Sequence, residues 1–203
     1  WNGYLVTLSI FFLTLLFSLP RAVPVALGRM SKHKWVRKPV EWFLLVIRGT
    51  PLMLQLIFVY FAPYYLFGLP LAGYRFPATI IAFTLNYAAY FAEIYRGGIA
   101  SMPVGQYEAA QILGYKRSQT FVHIILPQVI KRILPAVTNE VITLVKDTSL
   151  AFVLAVAEMF TIAKQIASSQ TTMMPFVIAG IFYYVFNLLV AVVMDKHEKT
   201  LYY

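Results

Sequence analysis

Residues 108–127 read EAAQILGYKRSQTFVHIILP, a mixed stretch set between strongly apolar segments. Just ahead of it, Ser101-Met102-Pro103 can start a helix. Ser101 can accept from free amides, and Pro103 fits a first turn, where no donor is missed. Residues 106–113 read helical, and Gly114 stands where a helix ends in a left-handed residue. Ser118 can cap a second short helix that runs toward Ile125 and stops around Pro127. The spacing therefore predicts two short helices with a kink, too short and too polar to cross a bilayer. Ala109 and Ala110 leave room for a close neighbour. Glu108 offers a fixed anionic acceptor, and Lys116 and Arg117 place cations just past the bend. On composition alone the stretch fits an amphipathic helix at a membrane surface or a docking helix.

The surrounding chain is apolar. Of 203 residues, 60% are hydrophobic and only 12% charged, where a soluble domain is about a quarter charged. The mean hydropathy is +0.71, and apolar runs near 20 residues recur, as in a polytopic helical membrane protein. There are no cysteines, so thiol and disulfide chemistry are excluded. The chain opens on Trp1 rather than Met, as expected of a sequence whose start lies upstream.

The net charge is +9, and its placement carries the information. Arg21, Arg29, Lys32, Lys34, Arg37 and Lys38 crowd one loop. Arg96, Lys116, Arg117, Lys131 and Arg132 sit in or beside 108–127, and Lys196 and Lys199 lie in the tail. The other side holds Arg75, Lys146 and Lys164. This asymmetry places the basic loops in the cytoplasm, with the N-terminus outside and the C-terminus inside. It accounts for the charge without nucleic acid.

In chain order, residues 5–20, extending toward 27, form the first expected span. No basic region precedes it, which argues against a signal peptide. Residues 21–38 are a cytoplasmic loop. Residues 39–66 form a second span, interrupted at Arg48-Gly49-Thr50-Pro51, where Pro51 removes a helix hydrogen bond. Arg48 and Gln55, seven residues apart, share a face in this reading. That face looks into the protein or a wet cavity, or else Arg48 snorkels to the interface beside Glu41 and Trp42. Residues 62–76 are an outer loop with an aromatic belt.

Residues 77–98 form the third span, with Thr79, Asn86, Tyr90 and Glu93 on one stripe facing the bundle interior. Helix–helix hydrogen bonding explains Thr79 and Asn86 adequately. Glu93 demands a partner or water. Residues 128–145 form the fourth span, in which Asn139, Thr143 and Lys146 share one stripe and Glu140 and Asp147 the next. The acids can pair with Lys146 or Arg48. Residues 150–167, with Glu158 and Lys164, read as one shorter outer or partly re-entrant helix. Residues 175–194 form the fifth span, and 195–203 a cytoplasmic tail. One membrane domain, 1–203, accounts for the chain, with the kinked loop at about 101–127. The fold class expected is an all-α integral membrane protein of five transmembrane helices, with a cytoplasmic loop between spans 3 and 4.

Three motifs now carry a resemblance: Arg48-Gly49-Thr50-Pro51-Leu52; Glu108-Ala109-Ala110 with Gly114, Ile124, Leu126 and Pro127; and Asn139-Glu140 followed by Lys146-Asp147-Thr148-Ser149-Leu150. Together they resemble the permease subunits of polar amino-acid ABC importers, the histidine/glutamine/arginine group, whose EAA loop docks on the ATP-hydrolysing subunit. The resemblance covers roughly 48–158. It implies a bacterial inner-membrane, multi-pass permease that works as a dimer, with an identical or a different second permease subunit. It also implies two ABC ATPase subunits that hold ATP and magnesium, and an external substrate-binding protein. No cofactor is expected in this chain. It has no GxxxxGK[ST] phosphate loop, HExxH or GxSxG, so ATP hydrolysis belongs to a partner. By the resemblance, Glu108, Ala109, Ala110, Gly114, Tyr115, Lys116 and Arg117 couple to the ATPase.

The polar stripes then nominate a pathway of Asn86, Glu93, Asn139, Glu140, Glu158 and Arg48 among membrane lipid. Carboxylates facing a cavity favour a basic amino acid. Two rivals remain at this level. One is a structural or regulatory subunit that docks an ATPase without moving solute. The other is a membrane-embedded enzyme using Glu93, Glu140 or His123, for which no catalytic spacing exists.

Overall fold

The computed structural model describes residues 2–202, which contain helices and no strand. In order these are α1 (Asn2–Arg29), α2 (Lys34–Gly49), α3 (Leu52–Phe67), α4 (Arg75–Ala100), α5 (Val104–Ile112) and α6 (Arg117–Gln119). A π-helical turn (Thr120–Ile125) leads into α7 (Leu126–Asp147). A 3-10 segment (Thr148–Leu154), α8 (Met159–Gln170) and α9 (Met174–Tyr202) complete the order.

α4 is the central element. It buries Ala78, Ala82, Phe83, Tyr87, Ala89, Phe91 and Ala92, and α1 lies along it. The buried residues of α1 recur every three or four positions and are mostly small: Gly3, Thr7, Thr14, Ser18, Ala22 and Ala26. Small faces let two backbones approach where lipid gives no hydrophobic drive between helices. Gly98 serves the same end at the other side of α4, since a Cβ there would overlap the side chain of Ile133 on α7.

Three helical stretches are long and apolar enough to cross a membrane: α1, the continuous run Arg117–Leu154, and Met174–Thr200. The pair α2 and α3 makes a fourth if its two halves are one span. The expected count of five therefore exceeds what apolarity supports. The difference is α4, which has 26 residues but carries Asn86, Glu93 and Arg96. A helix surrounded by protein needs no lipid-facing apolar surface, so hydropathy undercounts it.

The second expected span is not one continuous helix. The chain turns by 114° between α2 and α3. Thr50 and Pro51 are both extended there, as sterics before a proline require. Pro51 has no N–H to give the carbonyl of Ile47. The side chain of Gln55 replaces it, donating from Nε2 to Ile47 O at 2.7 Å, with Thr50 O at 3.0 Å and Thr50 Oγ1 at 2.9 Å. Asn86 Nδ2 of α4 donates to Gln55 Oε1 at 3.0 Å and fixes the amide. Gln55 thus serves the break and no longer shares a face with Arg48.

Around the kinked loop, Gly114 is left-handed at φ +78, and the amide of Tyr115 donates to Ala110 O at 3.0 Å to close α5. Two cap assignments differ from expectation. Ser101 ends α4, and Pro103 occupies the N-cap of α5. Lys116, not Ser118, precedes α6, and Gln119 Oε1 accepts from the Lys116 amide at 2.9 Å. Nor does the second short helix stop at Pro127. The π-turn carries it into α7, with the Leu126 amide donating five residues back to Phe121. A π-turn widens the ladder where the proline ring and its missing donor would disturb it. The expected helix over 150–167 is likewise divided, by a left-handed Ala155 at φ 52 and an extended Glu158 that starts α8.

Candidate functional site

Arg48 sits in the last turn of α2, where a cation complements the helix dipole. Its Nη1 lies 3.7 Å from Glu93 Oε2, and its guanidinium carbon 5.5 Å from the Tyr90 ring centre, within cation–π range. Glu93 Oε2 also accepts from Arg96 Nε at 3.0 Å and Nη2 at 2.8 Å. Arg29 Nε stands 3.9 Å from Glu93 Oε1. One carboxylate therefore gathers three guanidiniums, from α1, α2 and α4. Glu93 is only partly exposed, so its charge is compensated within the protein.

Glu140, on α7, is half-buried within electrostatic reach of Arg48 and Asp147. It makes no hydrogen bond and no ion pair among the described residues. Asn139 beside it is exposed, and its side chain is equally unengaged. Asp147 is held by Tyr87, whose hydroxyl donates to Oδ2 at 2.7 Å. The structure thus brings Arg48, Glu93 and Tyr90 together, with Glu140 within electrostatic reach of Arg48. The remaining polar capacity lies on Asn139 and Glu140.

Two nominated residues have other settings. Asn86 is buried and committed to Gln55. Glu158 is fully buried at 0% exposure, and its carboxylate caps α8. It accepts from Phe160 N at 2.6 Å, Thr161 N at 2.6 Å, Thr161 Oγ1 at 2.7 Å and Tyr183 Oη at 2.9 Å. A carboxylate at a helix N-terminus satisfies the orphan amides there. Four donors on two oxygens occupy the acceptor sites of the Glu158 carboxylate.

Arg29 and Arg96 were missed as partners of Glu93. Arg96 was findable, because positions three apart meet on a helix surface. Arg29 was not, since its approach depends on how α1 packs on α4. His123 lies exposed on the π-turn with Nδ1 3.1 Å from Gln119 O, away from this cluster. Among the described residues, no three His, Cys, Asp or Glu side chains are grouped to hold a metal.

The second region is α5 and its bend. Glu108, Ala109, Gly114, Tyr115, Lys116 and Arg117 are exposed, and Ala110 alone of the nominated residues is buried. Val104, Ile112 and Leu113 are exposed as well, Ile112 at 86%. Apolar side chains left exposed on a short helix make it a candidate interaction surface. A hydrogen bond from Gln128 Nε2 to Gln106 Oε1, 3.4 Å long, links this helix to α7.

Residues 18–201 match the family profile of the binding-protein-dependent transport system inner membrane component, and the chain belongs to that family. It is 35% identical over 202 residues to the putative glutamine transport system permease protein GlnP of Rickettsia bellii, covering 98% of this chain and 91% of that one. It is 35% identical over 208 residues to the arginine transport system permease protein ArtQ of Bacillus subtilis, with the same coverage. Its fold matches a chain in the crystal structure of an amino acid ABC transporter with histidines, with a TM-score of 0.88 and 33% identity over 98% of this chain and 92% of that one. The protein is a multi-pass inner-membrane permease and not an enzyme; ATP hydrolysis belongs to a separate subunit.

Proposed function

We propose that this chain is the membrane subunit of an ATP-driven importer of polar amino acids, with a preference for basic ones. The observation that carries the amino-acid class is likeness over nearly the whole chain to permeases named for glutamine and arginine transport. A second permease subunit, identical or different, two ATPases and an external binding protein complete the transporter. ATP and magnesium act on the ATPases. The charge asymmetry supports an outside N-terminus and a cytoplasmic C-terminus.

The pathway runs beside Arg48, Glu93, Asn139 and Glu140. An amino acid needs a donor for its carboxylate and an acceptor for its ammonium. Arg48, only 44% exposed at its side chain, supplies the first, and the unengaged Glu140 the second. Glu93, already compensated by three guanidiniums, positions Arg48 instead of meeting the solute. A further carboxylate near Glu140, that of Asp147, favours a second cationic group on the solute. The kinked loop is the mechanical link: its exposed apolar side chains seat in the ATPase, and ATP-driven closure there rocks the bundle between two states.

ATP-dependent uptake into proteoliposomes, with the cognate ATPase and binding protein, tests this over a panel of labelled amino acids. Arginine and lysine should exceed glutamine and glutamate, and Glu140→Gln should remove that preference. Preferred uptake of neutral amino acids would keep the importer and discard the charge argument. No uptake of any amino acid, from an assembled complex that hydrolyses ATP, would discard the substrate class.

A further inference from the structure

α2 is divided lengthwise. Lys34 and Lys38 fall on the outward side of the helix, Val40, Phe43 and Ile47 on the inward side, and Arg37, Glu41 and Arg48 along the edge where Glu41 meets Arg29 of α1 and Arg48 meets Glu93 of α4. Leu44 is buried, with Val40, Phe43 and Ile47 packed against the core. Beside the two lysines, on the same outward side, stand Trp35, 93% exposed, and Trp42, 65% exposed, with Leu45 and Val46 also open. A cavity of about 490 Å³ lies between them, lined by Lys34, Trp35, Lys38, Pro39 and Trp42. The two indoles are two helical turns apart, about 10 Å along the axis.

The charge count is one-sided. Lys32, Lys34, Arg37 and Lys38 face a single acid, Glu41. That acid is already engaged by Arg29 at 2.5 Å, Lys38 at 3.1 Å and Arg37 at 3.6 Å. Lys32 and Lys34 have no side-chain partner among the described residues, and Lys38 remains largely exposed. Because the chain turns by 114° between α2 and α3, both helices cannot stand along the membrane normal. The charged helix is the one suited to lie obliquely at the boundary.

We propose that this outward face of α2 is a binding site for the headgroup of an anionic phospholipid. The phosphate sits between the ammonium groups of Lys34 and Lys38, the indoles of Trp35 and Trp42 lie at the glycerol level, and the acyl chains run along Leu45 and Val46. The pairing of lysine with tryptophan favours lipid over a protein partner. Exposed indoles and snorkelling lysines suit a bilayer interface, whereas protein interface cores are depleted in lysine. The proposal rests on membrane insertion and not on the identity of any transported solute.

The 203 residues hold three tryptophans, so Trp1→Phe leaves Trp35 and Trp42 as the only indoles in that sequence. That variant is reconstituted in mixed bilayers of phosphatidylcholine and phosphatidylglycerol, with one or the other lipid brominated to quench tryptophan. At equal mole fraction, brominated phosphatidylglycerol should quench more strongly, reflecting a preference of up to about thirtyfold for two lysines at an anionic surface. Lys34→Gln with Lys38→Gln should equalise the two lipids while leaving quenching by both. Both lysines are exposed, and the chromatographic profile in detergent checks that the variant stays folded. Free glycerol phosphate should not alter the result. Equal quenching by both lipids in the unsubstituted face overturns the proposal. So does a preference that survives the double substitution, or that free glycerol phosphate abolishes. Absence of quenching by either lipid also overturns it, because the face would then be covered by protein.

Discussion

Glu158 distinguishes a capping carboxylate from one that meets the solute. Its Oε1 accepts from the amide and hydroxyl of Thr161, and its Oε2 from the amide of Phe160 and the hydroxyl of Tyr183. In Glu158→Gln one oxygen becomes an NH2 group. Either hydroxyl can rotate to accept from it, but neither backbone N–H can. Whichever way the amide sits, one buried N–H at the start of α8 loses its acceptor, at about 1–3 kcal/mol. Glu158→Ala strands both amides and costs about 2–6 kcal/mol. Glu158→Asp keeps two carboxylate oxygens for the amides and should fall between the one-donor loss and the native value. For a chain of this length 1 kcal/mol moves the unfolding temperature by roughly 2–4 °C. Thermal unfolding of the full chain in detergent should therefore rank native, Asp, Gln, Ala in falling order. Uptake per folded molecule should be retained in the Asp and Gln variants. An Ala variant that unfolds with the native protein yet carries no amino acid would refute the capping account and return Glu158 to the pathway.

Three further outcomes follow from the same geometry. Gly98→Ala drives a methyl into Ile133 and should destabilise the α4–α7 contact by about 1–3 kcal/mol; Ile133→Ala in the same chain should recover part of the loss in an unfolding experiment, and a neutral single variant would contradict the packing. Gln55→Leu leaves the Ile47 carbonyl at the α2–α3 break without a donor and should cost about 1–3 kcal/mol. Its effect should be non-additive with Asn86→Leu in a double-mutant cycle, because Asn86 acts only through Gln55. Gly114→Val places a β-branched residue at φ +78 and should strain the bend by about 1–2 kcal/mol. ATPase co-purification and uptake should fall together while the bundle unfolds near its native temperature; intact docking and uptake would remove the bend from the coupling path.

What could be read from the sequence were features with a local cause. Gly114 was placed in a left-handed turn because no other residue adopts that conformation so cheaply, and the structure has it at φ +78. The break at Pro51 was expected from a missing donor. The size of the turn was not, because it depends on Gln55 reaching back across the gap and on Asn86, 31 residues away, holding it. The capping role of Glu158 is hidden from the sequence for the same reason. Its polarity was visible, but the Tyr183 hydroxyl that completes its shell lies 25 residues on.

α4 ties these cases together. Its polar stripe keeps it below the apolarity of a lipid-facing span, so a hydropathy reading undervalues the helix on which the bundle is built. That stripe is tolerable because α1, α3 and α7 take up the helix surface. Asn86 then stabilises the break in the neighbouring helix, Tyr87 holds Asp147, and Glu93 gathers Arg29, Arg48 and Arg96. Each of these residues acts on a different neighbouring element. A shift of α4 against α2 or α7 therefore changes the setting of Arg48 and Glu140 together. Because α4 ends at Ser101 and only Met102 and Pro103 separate it from the exposed α5, a displacement of α5 has a short chain connection to the groups proposed to meet the solute.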